Sequence, residues 1–303
     1  MEAATKLTLQ SKKTGNSDKL METLLYIWAV IVLIIVLYPL YFIIIASFSD
    51  PSAVGNGQVW IFPKGFTLDG YKELLNHANI WIGYRNTIVY TVVGTLIGLI
   101  VNVSAGYALS RKDLVGRKFL SLFFIFTMFF NGGLVPTFLT IRDFHLYDTF
   151  LVMVLPFSVA VFDIIVARTF FRTGIPTELW EAAQIDGCGN LRFYAQMVLP
   201  LSKPIISVLA LWFAVGQWNS YFNALIYLQN KELYPLQLIL RDILVTNQMQ
   251  TALGTGEAAQ IALRLANLLR YSVIIVATVP IMCIYPFVQK HFNKGVMIGA
   301  VKE

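Results

Sequence analysis

The chain has 303 residues, of which 57% are hydrophobic and only 13% charged, and its mean hydropathy is +0.65. Soluble domains carry about 25% charged residues, so the composition excludes an ordinary soluble domain and points to a polytopic membrane protein. The net charge of +6 does not indicate a nucleic-acid partner, because the cations stand in small groups between apolar runs, where they act as topology signals.

A helix needs about 20 mostly apolar residues to cross the hydrocarbon core. Six stretches qualify, roughly 22–46, 84–108, 118–138, 149–171, 204–228 and 271–290. The first follows a polar segment with Lys6, Lys12, Lys13 and Lys19, and its apolar run is too long for a signal-peptide core, so it reads as an uncleaved span. Between spans two and three, "RKDLVGRK" gathers Arg111, Lys112, Arg117 and Lys118 in a short turn. Short loops rich in Lys and Arg stay inside. Both termini are therefore expected in the cytoplasm, with 172–203 inside and 229–270 outside. The expectation is an all-α protein with a cytoplasmic tail over 1–21, a six-span domain over 22–290 and a cytoplasmic tail over 291–303.

Within the spans, Asn131-Gly132-Gly133 interrupts the third, and Pro39, Pro136, Pro156, Pro280 and Pro286 punctuate others. Such breakers are tolerated where protein or a water-filled cavity satisfies the freed backbone. Span four carries Asp163 and Arg168. Arg168 is close enough to the inner end to snorkel, and Asp163 reads as a packing or inter-subunit contact. In span five, Gln217, Trp218, Asn219, Tyr221 and Asn223 combine aromatic faces with amides, a mixture that suits sugars. With Asn131 they are candidates for a substrate path. The same residues also suit an interfacial aromatic belt with polar glue between helices, the reading preferred on sequence alone.

The pentapeptide E-A-A-Q-I occurs twice, at 181–185 and 257–261. The first copy lies in "TELWEAAQIDGCGN", on the expected cytoplasmic side. Thr177 suits the N-cap, Glu178 and Glu181 suit the first turn, and Asp186-Gly187 is a C-terminal stop. The spacing predicts a helix of about two turns with an apolar face of Leu179, Ala182, Ala183 and Ile185. Such a helix is marginal alone; on physical grounds it is either a docking element or an amphipathic connector. The second copy, in "GEAAQIALRLAN", has no Asp-Gly stop and faces the opposite side, so it reads as a coincidence in a helical stretch.

Beyond the pentapeptide, "EAAQIDGCGNLRFYAQMVLPLSKP" resembles the EAA loop of permease subunits in binding-protein-dependent ABC importers, with Glu181, Ala182, Ala183, Asp186, Gly187, Leu199 and Pro200 at the pattern's positions. "YALSRKDLVGRKF", "NGGLVPTFL", "WNSYFNAL" and "GVMIGAVK" are similar to the MalG-like carbohydrate permeases, the subgroup for complex oligosaccharides and polysaccharide fragments. The resemblance implies that Glu181, Ala182, Ala183, Asp186 and Gly187 form a coupling helix docking on a cytoplasmic ATPase. It also implies a second permease subunit, an ATPase dimer and an external sugar-binding protein, all at the bacterial inner membrane, with an oligosaccharide as cargo. The chain has no G-x-x-x-x-G-K-[ST] phosphate cradle, so a partner is expected to hydrolyse ATP. No enzyme activity and no cofactor are expected. Cys188 and Cys283 read as free thiols, and His77, His145 and His291 as surface residues without metal spacing. An ion-coupled secondary transporter acting alone is the alternative; it would call for charge pairs in several spans, and only span four offers one.

Overall fold

The computed structural model describes residues 16–253, 264 and 266–283, and every regular element among them is helical. The chain divides into two compact units at Leu68 and Asp69. The first holds α1 (Asn16–Ser47) and the short α2 (Pro51–Gly55). The loop that follows lies back along α1, where the Tyr38 and Tyr41 hydroxyls donate to the carbonyls of Trp60 and Ile61.

The second unit is organised around α4 (Ala78–Ser110), a helix of 33 residues and hence about 50 Å long. Preceding it is α3 (Asp69–Asn76), and following it are α5 (Arg117–Phe129) and α6 (Leu134–Asp143). Next come α7 (Leu151–Val154), α8 (Val161–Gly174) and α9 (Thr177–Ile185). The chain then runs through α10 (Asn190–Phe193), a π-helical turn at Tyr194–Val198 and α11 (Leu199–Leu201) into α12 (Lys203–Trp218). The unit ends with α13 (Phe222–Tyr227), α14 (Leu236–Leu253) and α15 (266–283).

Among the described residues, three helices are long and apolar enough to cross a membrane: Lys19–Ser47, α4 and α15. The number is five if each of two bent pairs is one span. Several expected spans are therefore not single helices. The stretch 118–138 breaks between α5 and α6 with a bend of 115°, at Asn131-Gly132-Gly133, where Gly133 takes a φ of +80°. The stretch 149–171 is split at 155–160 around Pro156. The stretch 204–228 ends at Trp218 and resumes at Phe222. On its N-terminal side α12 meets α11 at a bend of 81°. There the Leu199 N–H reaches back to the Tyr194 carbonyl, and the widened turn precedes Pro200, whose ring would collide with the Gln196 carbonyl in a regular α-helix.

Glycines let the neighbours approach α4. A Cβ on Gly98 would sit 2.7 Å from the Phe213 ring of α12, and one on Gly106 would sit 2.6 Å from Ala167 Cβ of α8. Between them Asn102, fully buried, donates to the carbonyls of Gly98 and Ser158 at 2.6 Å each and accepts from the Ala160 N–H at 2.8 Å. The broken stretch between α7 and α8 is thus hydrogen-bonded by one amide. Further along α4, the Tyr84 hydroxyl donates to the Val276 carbonyl at 2.6 Å. That carbonyl lies four residues before Pro280, which has no N–H to offer it.

Replacing Asn102 with Leu leaves the Ser158 carbonyl and the Ala160 N–H buried without partners. At about 1–3 kcal/mol for each of the two orphaned groups, Asn102→Leu is expected to destabilise the protein by about 2–6 kcal/mol. The neighbouring Val101→Leu, on the exposed side of α4, is expected to be neutral. Thermal unfolding of the detergent-solubilised protein tests this, and equal midpoints for the two variants would refute it.

Candidate functional site

The helix that carries the first E-A-A-Q-I is α9, and both of its ends are defined by backbone chemistry. Pro176, with φ −59° and ψ 140°, occupies the N-cap, and no side chain caps the helix. Thr177 is thus the first helical residue and not the cap expected from the sequence, because proline's fixed φ already supplies the extended geometry a cap position needs. At the other end Gly187 takes a φ of +70°. The Cys188 N–H donates to the Ala183 carbonyl at 2.8 Å and the Gly187 N–H to the Gln184 carbonyl at 3.0 Å, the paired bonds of a Schellman motif.

The expected single apolar face is divided between two surfaces. Ala183 is buried, and Trp180 packs beside it, in a cluster with Val103, Ala167, Phe171 and Phe193. Leu179, Ala182 and Ile185 point the other way and remain exposed, Ile185 at 88%, alongside Glu178, Glu181 and Asp186. The reason is helical geometry: residues 179, 182 and 185 recur every three positions on one side, and 180 and 183 on the other. Trp180, the bulkier apolar residue, claims the inward side.

A socket of side chains holds that inward side. The Trp180 ring meets Phe193 edge-on at 5.0 Å between centroids, and the Arg111 guanidinium lies 4.0 Å over its centroid. Asp113 grips the same guanidinium through two hydrogen bonds, from Nε at 2.9 Å and Nη2 at 2.8 Å. This fork holds the Asp113 carboxyl below the usual carboxylate range. A depressed carboxylate keeps its contribution at neutral pH and loses it as pH falls through its folded pKa. Tyr107 of α4 stacks on Tyr194 at 4.8 Å and meets Phe171 edge-on at 5.8 Å. A cleft of about 270 Å³ opens within the socket, lined by Arg111, Phe171, Trp180 and Phe193 among others. Sequence reading missed Trp180, Arg111 and Asp113 as partners. The dense "RKDLVGRK" turn was informative about charge, and nothing in it indicated that Arg111 turns inward.

The candidates for a substrate path fall into different surroundings. Trp218 is buried, and its indole N–H donates to the Ala277 carbonyl at 3.0 Å. Asn219 donates to the Val215 carbonyl of its own helix at 2.9 Å. Asn131 accepts from the Gly133 N–H at 3.0 Å at the break before α6, and Tyr221 is exposed. Gln217 and Asn223 come together, lining a cavity of about 250 Å³ with Ser220 and Asp163. The second E-A-A-Q-I, at 257–261, and the ending "GVMIGAVK" lie outside the described residues.

The Arg111–Trp180 contact is expected to be energetically coupled. Cation–π pairs are worth about 0.5–2 kcal/mol, so a double-mutant cycle of Arg111→Ala and Trp180→Ala should show an interaction energy in that range. Additive effects in an unfolding titration of the purified protein would contradict this coupling.

Comparison with known proteins places this geometry. The chain is 37% identical over 268 residues to Protein LplC of Bacillus subtilis (strain 168), covering 88% of this chain and 90% of that one. It is 35% identical over 289 residues to the polygalacturonan/rhamnogalacturonan transport system permease protein YtcP of the same organism, covering 94% and 99%. Among solved structures, a bacterial ABC transporter involved in the import of the acidic polysaccharide alginate contains a chain that matches with a TM-score of 0.82 and 32% identity, over 92% of this chain and 98% of that chain. Residues 94–298, which hold α9, its socket and the cavity, match the family described as binding-protein-dependent transport system inner membrane component, and the chain belongs to that family.

Proposed function

We propose that the chain is one permease subunit of an ATP-driven importer of oligosaccharides or polysaccharide fragments, and that α9 is its coupling helix. The observation that carries this reading is the two-sided α9. One side is built into the protein through Trp180 and Ala183, and the other presents Leu179, Ala182 and Ile185 beside Glu178 and Glu181 to an outside partner. The partner is a cytoplasmic ATPase, which supplies the ATP chemistry for which this sequence has no phosphate cradle.

In this reading the permease has six spans with both termini in the cytoplasm. The bent pair α5–α6 counts as one span, α7 with α8 and α12 with α13 each count as one broken span, and α9 to α11 belong to the cytoplasmic loop over 172–203. Arg111, Lys112, Arg117 and Lys118 set the orientation, which puts α9 on the ATPase side. The tails over 1–21 and 291–303 are cytoplasmic, and 22–290 is the permease domain. A second permease subunit forms the other half of the path, and an external sugar-binding protein delivers the cargo. The names of the relatives support a carbohydrate cargo, and Gln217 and Asn223 are the path candidates that share a cavity.

Gly187 offers a test with no clash inside this chain, because among the described residues nothing lies within 4 Å of a Cβ placed there. A side chain at this residue meets only the backbone penalty of the left-handed conformation, about 1–2 kcal/mol. Gly187→Val is expected to lower sugar uptake by the assembled complex severalfold, whereas Gly187→Asn, which tolerates that conformation, should retain most of it. Glu181→Lys should abolish uptake while the subunit still inserts. Wild-type uptake in both Gly187→Val and Glu181→Lys would overturn the coupling assignment.

A further inference from the structure

We propose that Asp163 anchors a subsite for an uncharged, hydroxyl-rich sugar ring, in the cavity it shares with Gln217, Ser220 and Asn223; the proposal rests on the importer reading above. Asp163 is only 7% exposed. Among the described residues its carboxylate has no hydrogen bond and no ion pair. Packing against other helices of this chain, one of the two roles expected from sequence beside an inter-subunit contact, would supply partners from those helices. Instead the side chain lines a cavity of about 250 Å³.

A buried carboxylate without donors is costly, and two features offset the cost. Asp163 sits in the first turn of α8, where the unpaired N–H groups of the helix favour a negative charge. The cavity is also where a ligand's donors would complete the site. A carboxylate accepts several hydrogen bonds, and Ser220, Gln217 and Asn223 add hydroxyl and amide groups that both donate and accept. Trp212, 41% exposed and 5.7 Å from the Phe162 ring, lines the same space and offers a flat face to the C–H side of a sugar. The volume is below the roughly 300 Å³ at which pockets for drug-sized molecules begin, so it fits a single ring of a longer chain. Among the described residues the lining contains no Lys, Arg or His. A uronate carboxylate would meet Asp163 as a like charge in a low dielectric, without a cation between them, so the subsite selects neutral rings and rejects acidic ones.

The test uses the complete complex in proteoliposomes. It compares uptake of neutral arabino-, xylo-, galacto- and gluco-oligosaccharides with that of oligogalacturonates and alginate oligomers. Asp163→Asn, close in shape, is expected to lower uptake of the preferred neutral sugar about tenfold, the effect of losing a charge-assisted hydrogen bond, and to narrow the gap to the acidic sugars. Asp163→Glu, which keeps the charge, should keep the neutral preference. An unchanged ratio of neutral to acidic uptake in Asp163→Asn would overturn the subsite alone. Dissociation of the two permease subunits in that variant would overturn it in favour of an inter-subunit contact. A wild-type complex that imports none of these sugars would overturn the importer reading and the subsite with it.

Discussion

The architecture depends on how the backbone broken at Pro156 is satisfied away from water. A proline inside a helix removes one donor and displaces a carbonyl, and lipid offers nothing in exchange. Asn102 pairs with the backbone that the break leaves open just beyond Pro156. Its amide donates to the Ser158 carbonyl and accepts from the Ala160 N–H, a combination that Ser, Thr or Asp would meet less completely. Because Asn102 is fixed within the long helix α4, the broken element is positioned by α4 rather than by its own helical continuity. The same device recurs where Tyr84 donates to the Val276 carbonyl, four residues before Pro280.

These hydrogen bonds require close helices, and closeness in a membrane does not come from hydrophobic exclusion. Lipid tails are as apolar as leucine, so small residues and complementary shapes bring helices together. Along α4 the small residues stand where each neighbour crosses, Gly98 under Phe213 and Gly106 against Ala167 and the backbone at Ile164 and Arg168. At its C-terminal end Tyr107 joins Tyr194 and Phe171, and Arg111, just beyond, covers Trp180. One helix therefore connects the broken backbone at Ser158–Ala160 with the socket of α9.

Much of this was legible in the sequence, and the limits have physical causes. The helical stop at Asp186-Gly187 was readable because a left-handed glycine is a local property, and the break at Asn131-Gly132-Gly133 was readable for the same reason. The stretches 149–171 and 204–228 are broken helices; Pro156 marked the first break in the sequence, whereas the break after Trp218 carries no such signal, because hydropathy measures whether a stretch suits the hydrocarbon layer and says little about whether it stays straight. Trp218 looked like a path residue beside Gln217, yet a tryptophan on α12 reads identically whether it faces a cavity or donates to the Ala277 carbonyl. Asp163 drew attention as a charge in an apolar run. That its carboxylate opens into a cavity with Gln217, Ser220 and Asn223 required the three-dimensional placement of α8, α12 and α13.

The division of α9 into two faces also sets where a transmitted force must pass in the proposed coupling. Burying Ile185, 88% exposed, in a partner is worth about 1.5–3 kcal/mol, and Leu179, 38% exposed, adds less; together they exceed the cation–π contact of about 0.5–2 kcal/mol that joins Trp180 to Arg111. If that contact were the sole attachment, a docked partner would peel α9 away from α4 rather than move it. The attachment is broader. Ala183 is buried, the Trp180 ring is also held by Phe193, and the Ala183 carbonyl is tied into the turn through Cys188. Arg111 is then best understood as the contact that aligns α9 with the end of α4, while buried area and the covalent chain through α10 carry the load.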